Sequence, residues 1–409
     1  MYDELTNFHD IAGKLAASTP DLVQQREKQM KYKILAGLIA SCVATGAFAQ
    51  TSVTLYGVID MSVNYTTHQD AAGDHVISLG DSNASTGAGD GGQGALSGSR
   101  WGLKGEEDLG GGTKAIFKLE SGFTANNGQS DQQGQLFGRQ AYVGLSNSSA
   151  GTLTLGRQYG TMTDVAFDFD PLGVGNYVAN EWEVFLFGVR FDNTIKYSNQ
   201  FGPVQLNVQY SVGGQSGSDS IGNTFGTSVK YDNAGLGLAA GFQQSEDAHS
   251  NDETVWTADA KYTFGDVTLY GNYYHINVDP GFQKAASLSG GALANTSIFI
   301  NNSSNTTSRK DSLWVAGFAY NFTPATTLTL GYMDDLISQD IVGDGSMKSA
   351  YALLEYHLSK RTEVYLTVDN SKATGQAQTT AASGSGSING VGAGQSSSTA
   401  YAAGLRVTF

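Results

Sequence analysis

From residue 50 onward, apolar and polar side chains alternate with a period of two residues. In the first such stretch, Val53, Leu55 and Ile59 lie on one face, and Thr54 and Asp60 lie on the other. Alternation at every second residue predicts a β-strand with one apolar and one polar face. The pattern recurs in sixteen segments, at residues 51–65, 97–106, 112–124, 135–147, 151–159, 189–198, 203–212, 223–232, 235–244, 254–264, 266–277, 311–322, 325–335, 347–358, 361–371 and 399–409.

The connections between these segments are short and long in strict alternation. Short ones carry turn-forming residues, as at 108–111, 200–203 and 232–235. Long ones are rich in Gly, Ser and Asn, and they comprise residues 66–96, 125–134, 160–188, 213–222, 245–253, 278–310, 336–346 and 372–398. The alternation places every long connection at the same end of the sheet, so we expect an up-and-down antiparallel meander.

Charged residues on the polar face decide between a soluble sandwich and a membrane barrel. Arg100, Lys118, Glu120 and Arg139 lie in mid-strand, where the wet lumen of a wide barrel accepts them and a dry core does not. Strands of about ten residues, tilted by about 40°, also match an apolar band about 25 Å tall. The predicted fold class is all-β, a 16-stranded antiparallel transmembrane β-barrel, closed because lipid does not tolerate a sheet edge. A soluble repeat protein is the alternative.

Composition narrows the possible classes further. The chain has 409 residues with 53 Gly, 5 Pro and an aromatic fraction of 11%, which argues against collagen and against disorder. The formal net charge of −15 argues against a nucleic-acid partner. The longest apolar run, near residues 34–48, is too short and too isolated to indicate a bundle of membrane-spanning helices.

The N-terminal region has the features of a secretion signal. Lys31 and Lys33 precede an apolar stretch that ends in the small residues of Ala47-Phe48-Ala49. The predicted segments are an over-long extension at 1–29, a signal peptide at 30–49 and the barrel at 50–409. A buried N-terminal helix and a form that is lipid-attached through Cys42 are the alternatives.

Four motifs and the last residue carry a family likeness in combination, although each alone would be weak. They are residues 52–60 (SVTLYGVID), 99–110 (SRWGLKGEEDLG), 138–145 (GRQAYVGL), 151–159 (GTLTLGRQY) and the terminal Phe409. Together they resemble the trimeric general porins of Gram-negative bacteria, in particular those of β-proteobacteria. The resemblance implies three barrels per assembly, each with its third long loop, 160–188, folded into the lumen as a constriction.

The resemblance also implies a basic cluster on the barrel wall. Arg100, Arg139 and Arg190 match the arginines of that cluster, and Lys118 and Lys196 are predicted to extend it. For each of these residues, a solvated lumen charge without a special role is the alternative.

The opposing carboxylates are expected on loop 160–188. Asp170 matches one family carboxylate, and Asp168 and Asp164 lie close to it in sequence. Where the enterobacterial pattern has Pro-Glu-Phe-Gly-Gly, residues 171–175 read Pro-Leu-Gly-Val-Gly, so Val174 replaces the second carboxylate. Acids on one side and arginines on the other would create a transverse field that orients dipolar solutes and sets ion preference.

Two further residues have separate predicted roles. Arg157 shares the parity of the outward Leu153 and Leu155. In the family such an arginine belongs to the subunit interface, and a water-exposed position at the rim is the alternative. Phe409 ends an aromatic terminal strand that resembles the family's assembly signal.

The predicted function is an outer-membrane diffusion channel for ions and small hydrophilic solutes, with no cofactor and no metal. The implied partners are two further copies in a homotrimer, outer-membrane lipid and lipopolysaccharide, and the outer-membrane assembly machinery. A substrate-selective porin, for anions or small organic acids, is the main alternative, followed by a structural or adhesive barrel. An enzyme is disfavoured, because the five His of residues 50–409 show no catalytic or metal-binding spacing.

Overall fold

The computed structural model describes residues 52–80, 95–175, 178–218, 220–283, 291–300, 302–340, 343–375, 377–378, 391–392 and 394–409, without the side chains of 133 and 178–181. The predicted extension at 1–29 and the predicted signal peptide at 30–49 lie outside these residues. Both therefore stay predictions.

The described residues form sixteen long strands and one short strand. They are β1 Ser52–Thr66, β2 Val76–Gly80, β3 Arg100–Gly110, β4 Thr113–Gly122, β5 Gln140–Asn147, β6 Gly151–Tyr159, β7 Arg190–Phe201, β8 Val204–Ser211, β9 Thr224–Asn233, β10 Leu236–Glu246, β11 Asp252–Phe264, β12 Val267–Val278, β13 Arg309–Thr323, β14 Thr326–Ser338, β15 Gly345–His357, β16 Thr362–Gly375 and β17 Ser397–Thr408. Each long strand overlaps one predicted segment. The short strand β2 was not predicted, because its alternation lasts only five residues within a Gly- and Ser-rich connection.

All neighbouring strands pair antiparallel, and β17 pairs with β1 from Val58–Thr408 to Thr66–Ala400, so the sheet closes into a barrel. On its other side β1 pairs with two strands in turn. β3 covers Ser52–Val58, and β2 covers Ser62–Thr66. In the gap between them, the Ser99 hydroxyl accepts from the Asp60 N–H at 3.1 Å and donates to the Asp60 carbonyl at 3.2 Å. One side chain thus replaces the missing ladder partner.

The two faces of the barrel wall differ as the alternation predicts. Large apolar side chains are exposed on the outside, among them Val53, Leu55, Val143, Leu145, Trp314 and Leu366. Polar side chains are buried on the inside, among them Asp60, Asn64, Asn207, Gln243 and Asp369. This is the reverse of a water-soluble barrel, and it suits an exterior in contact with hydrocarbon.

Tight turns close the short end of the barrel. Between β3 and β4, Gly110, Gly111 and Gly112 all have positive φ, at 83°, 60° and 76°. Only glycine adopts such angles in succession without strain. The chain can therefore reverse within three residues.

Two helices lie inside the barrel, in the connection between β6 and β7. Helix α1 spans Thr161–Phe169 and packs on β8–β12, and α2 spans Val178–Phe187 and packs on β15 and β16. The sequence predicted an inward loop for this connection and did not indicate its helices. Within the described residues, no helix is both long and apolar enough to cross a bilayer.

An apolar cluster fills one side of the lumen. It joins α2 to inward residues near the long-connection ends of β12–β16, and its largest members are Trp182, Tyr274, Phe187, Phe191, Phe282, Met162, Leu186, Ile276 and Leu293. Phe185 of the inward loop belongs to this cluster, and Leu172 and Val174 pack against it. The inside of the barrel is therefore wet on one side and dry on the other.

Candidate functional site

Helix α1 is fixed at its start by hydrogen bonds to the barrel wall and to the chain that returns from α2. The Thr161 amide donates to the Gln209 side-chain oxygen at 2.8 Å. The Thr163 hydroxyl donates to the carbonyls of Gly188 and Val189, at 3.2 and 3.0 Å. An unpaired donor at a buried helix start is costly. These bonds therefore set where α1 enters the lumen.

The acids of α1 pair with lysines on the wall directly beneath it. Asp164 forms an ion pair with Lys196 of β7, and Asp168 with Lys230 of β9 at 2.5 Å. Lys261 of β11 donates to the Asp168 carbonyl at 3.1 Å. The predicted Lys196 thus meets a predicted acid, and Lys230 and Lys261 were missed. Both missed lysines share their parity with inward residues of their own strands, which is the signal that could have found them.

Asp170 does not present its carboxylate to the pore, in contrast to the prediction from the family pattern. It is only 3% exposed, and its Oδ2 accepts the amides of Leu172 and Val174 at 2.9 and 2.8 Å. Val174 has a φ of 60°, because the chain turns sharply after α1. The carboxylate stabilises this turn by pairing two amides that would otherwise be buried without acceptors.

The predicted arginines gather on the wall around Tyr159. The Tyr159 hydroxyl accepts from Arg139 at 3.1 Å and from Arg190 at 3.2 Å, and the Arg190 guanidinium lies 4.7 Å from the centre of the same ring. Arg139 also donates to Glu120 at 2.9 Å. An aromatic residue at a strand end, such as Tyr159, is typical of the girdle at a membrane interface. Here the Tyr159 side chain instead joins two lumen cations.

Glu120 is the acidic centre of the same wall. It accepts from Tyr56 at 2.7 Å and lies 3.4 Å from the Lys118 amine. Lys118 and Lys104 both lie over the Tyr56 ring, with their amines 5.5 and 5.6 Å from its centre.

Arg100 completes the group of predicted cations. It donates to the Gly98 carbonyl at 3.0 Å and interacts electrostatically with Arg139 and Glu120. The structure therefore brings Arg100, Arg139, Arg190 and Lys118 to one wall, and Lys196 to the neighbouring wall beneath α1. Buried cations of like sign repel, and a shared carboxylate offsets part of that repulsion.

A cavity of about 360 Å³ lies beside α1. Asp164, Asp168, Lys196 and Lys230 line it, together with Phe167 and with Tyr159, the residue that Arg139 and Arg190 contact. The two aromatic rings meet edge to face, with their centres 4.8 Å apart. Most of the remaining lining consists of amide and hydroxyl side chains of β5–β8, which hydrogen-bond readily to water and to polar solutes.

Arg157 is largely buried by its own chain. It donates to the Gly138 carbonyl at 2.7 Å, to the Asp192 carboxylate at 2.7 Å and to the Asn295 carbonyl at 3.0 Å. These contacts all lie within one subunit. The interface role predicted for Arg157 stays a prediction.

Helix α2 carries buried polar groups into the dry side of the lumen. The Trp182 indole donates to Asp335 at 2.8 Å, and Glu183 is 1% exposed. Burial raises the pKa of the Glu183 carboxyl well above its usual range, and the nearby Asp170 and Asp259 raise it further. A carboxyl in such surroundings is neutral over a wide pH range.

Phe409 closes the barrel at its short-turn end. Its backbone exchanges two hydrogen bonds of 3.0 Å with Gly57 of β1, and its ring occupies the space where a side chain at residue 57 would stand. In the described part of the chain, no three His, Cys, Asp or Glu side chains are grouped so as to hold a metal ion.

Comparisons with known proteins agree with a transmembrane barrel of this kind. Residues 35–376 match the family model described as Gram-negative porin. The chain is 34% identical to an outer membrane porin of Bordetella pertussis over 229 residues, and 34% identical to outer membrane porin protein 32 of Delftia acidovorans over 254 residues. These alignments cover 53% and 58% of this chain, and 60% and 68% of the relatives. An anion-selective porin from Comamonas acidovorans aligns in structure with a TM-score of 0.67 at 25% identity, covering 88% of this chain and all of the other.

Proposed function

This chain belongs to the Gram-negative porin family, and from that premise we propose that its barrel is an outer-membrane channel for the diffusion of ions and small hydrophilic solutes. The observation that carries the proposal is the inward connection between β6 and β7, whose helices fill part of a lumen with charged, hydrated walls. A sixteen-stranded barrel is wide enough to hold an aqueous channel. An inward segment narrows that channel without closing it.

The narrowest passage in this proposal lies between the arginine wall and α1. Arg100, Arg139 and Arg190, with Lys118, form the basic side. Asp164 and Asp168 form the acidic side, where Lys196 and Lys230 partly neutralise them. Asp170 is left out, because its carboxylate is committed to the turn after α1. Fixed charges at close quarters select among ions more strongly than the same charges in bulk water.

A preference for anions is the second, finer proposal. Arg100, Arg139 and Lys118 interact with one carboxylate, Glu120, and Arg190 lies beside them against Tyr159, so this wall has a positive excess. The porin from Comamonas acidovorans, which is anion-selective and similar in structure, agrees with this sign. The net charge of −15 for the whole chain acts at the mouths, where salt screens it.

Single-channel recording in a planar bilayer tests both proposals. A large ohmic conductance supports the diffusion channel, and a reversal potential of the anion-selective sign in a salt gradient supports the finer proposal. Conductance that saturates with one class of solute would instead indicate a substrate-selective porin. Silence with correctly inserted protein would indicate a structural or adhesive barrel.

The proposed partners are two further copies of the chain, lipid and lipopolysaccharide on the outer face, and the outer-membrane assembly machinery. Exposed apolar side chains support the lipid contact, and the trimeric family supports the homotrimer. Deletion of Phe409 should reduce the yield of inserted trimer, because it removes the last backbone pair between the chain ends. Phe409→Tyr, which keeps the ring and the backbone pair, is the control. An unchanged trimer yield after the deletion would contradict the assembly role.

A further inference from the structure

The long connection between β12 and β13 also enters the barrel. Its residues 291–300 lie along the returning half of the inward loop, from α2 to the start of β7. The Phe299 amide donates to the Phe185 carbonyl at 3.1 Å, and the Asp192 amide donates to the Ala292 carbonyl at 3.3 Å. Between these two bonds, the Val189 amide donates to the Ser297 hydroxyl at 3.0 Å. The two segments are thus joined along their length.

Apolar packing holds the same segment against α2. Leu293, Ile298 and Ile300 are almost completely buried in the cluster that contains Trp182. The Phe299 ring lies 4.8 Å from the Trp182 ring, centre to centre. Burial on this scale is the main stabilising contribution available to a loop.

A glycine makes the close approach possible. Gly188 ends α2 with a φ of 82°, and a Cβ at this position would collide with the Thr296 side chain. The backbone therefore combines a left-handed angle with contact to residues 291–300. Only glycine satisfies both requirements without strain.

Arg157 joins three segments at the end of this contact. Its Nε donates to Gly138 before β5, its Nη1 to the Asp192 carboxylate, and its Nη2 to the Asn295 carbonyl. The Asn295 side-chain amide donates to the other oxygen of Asp192 at 2.5 Å. A guanidinium that donates three hydrogen bonds to fixed acceptors holds them in one geometry.

We propose that residues 291–300 form a second pore-narrowing element, a strap that clamps the inward loop against the wall, and that Arg157 is the positioning residue that fastens it. The proposal rests on the channel function proposed above. In this proposal, the connection between β12 and β13 narrows the pore together with the inward loop between β6 and β7. It also gives Arg157 a task within its own subunit.

The first test replaces residues 291–300 by a Gly/Ser segment of equal length. Side chains that fill the lumen are then withdrawn, and α2 loses its cover. We expect a larger single-channel conductance and faster entry of larger sugars in liposome swelling. The control replaces residues 69–74, most of which are exposed, by Gly/Ser, and it should leave both readouts at the wild-type level.

The second test removes the fastening. Loss of a hydrogen bond to a charged group shifts an equilibrium by about tenfold or more. Arg157→Ala and Asp192→Asn should therefore each make stepwise conductance transitions about tenfold more frequent, as the strap leaves and rejoins its site. Because both changes break one bridge, the double variant should add little to either single variant. Arg157→Lys should restore part of the wild-type behaviour, and Arg361→Ala, at an exposed position on the short-turn rim, is the control.

The outcomes separate this inference from the channel function. Absence of conductance in the wild-type protein would overturn the channel function. Wild-type conductance that neither the Gly/Ser replacement nor Arg157→Ala alters would overturn the strap alone. If the replacement prevents assembly, Phe299→Ala keeps the segment and removes only its ring contact with Trp182. Wild-type transitions in both Phe299→Ala and Arg157→Ala would also refute the strap.

Discussion

The two sides of the lumen follow one alternation rule and yet have opposite surroundings. On β7 and β9 the inward positions hold Lys196 and Lys230, which line the cavity beneath α1. On β12–β16 they hold residues such as Tyr274 and Met333, which are fully buried. A period of two residues tells which side chains point inward. It does not tell whether they meet water.

Depth along the strand explains the difference. In the cluster that contains Trp182, the wall residues of β12–β16 lie toward the long-connection ends of these strands, as Ile276 does in β12 and Met347 in β15. These ends face α2 and residues 291–300. Farther along β16 the inward positions become polar at Asp369 and Thr367. The dry side is therefore a local core built where two long connections enter the barrel.

The largest change is expected from Trp182→Ala in this dry core. The variant leaves a cavity and an Asp335 carboxylate without its indole donor, so α2 should lose about 3–5 kcal/mol of docking free energy. Hydrogen exchange of residues 178–187 measures this loss as faster exchange. Trp314→Ala is the matched control, because that ring is 55% exposed on the outer face and touches neither loop. Equal exchange in the two variants would contradict the dry core.

The wet side is tested by neutralising its cations. Arg100→Gln with Arg139→Gln removes two positive charges beside Glu120. At an effective dielectric of about 20, a unit charge interacts with an ion about 8–16 Å away by about 1–2 kcal/mol. The cation-to-anion permeability ratio should therefore rise by about tenfold in low salt. Reversal potentials measure the ratio, with Arg361→Gln as the control. An unchanged ratio would remove both arginines from the filter.

A smaller shift of opposite sign is expected from Asp168→Asn. This carboxylate is about half exposed, so its ion pair with Lys230 contributes about 0–1 kcal/mol to stability, and α1 should stay in place. Removing the acid leaves Lys230 with less compensation, so the permeability ratio should move toward anions. Asp266→Asn, which removes an exposed acid from the short turn between β11 and β12, is the control. An unchanged ratio would place Asp168 outside the ion path.

The smallest effect is a pH dependence on the dry side. Because the pKa of Glu183 is raised in the folded protein, the folded state binds more protons than the unfolded state above the ordinary carboxyl pKa of about 4.3. Docking of α2 should therefore weaken as pH rises from about 4.3 to the raised pKa. Glu183→Gln should remove this slope in hydrogen exchange of residues 178–187. A slope that persists in the variant would assign it to another group.

The barrel could be predicted from the sequence because period-two alternation covers every long strand. The inward helices could not, because both pack on the wall and α1 has no side-chain cap of its own. Glycine at 160, for instance, gives α1 no side-chain cap. The arginines were found through motif resemblance. Tyr159 was missed because an aromatic residue at a strand end also fits the membrane interface.

Asp170 shows the limit of transferring a residue from a family pattern. Asp170 matches the family pattern at that place, but the different sequence after it places two amides within its reach. The Asp170 carboxylate thus accepts hydrogen bonds from the local backbone instead of facing the pore. Lys230, by contrast, needed no resemblance, since its parity alone points inward.

The break between β3 and β2 beside Asp60 bears on how the connections of such barrels can vary in length. β2 and the Ser99 hydroxyl bond to β1 beyond the point where β3 stops pairing with it. The barrel therefore closes although β3 does not pair with the whole length of β1. The connection that contains β2 can lengthen or shorten without changing the number of long strands. A closed barrel with a fixed number of strands and a connection of variable length can therefore coexist in one polypeptide.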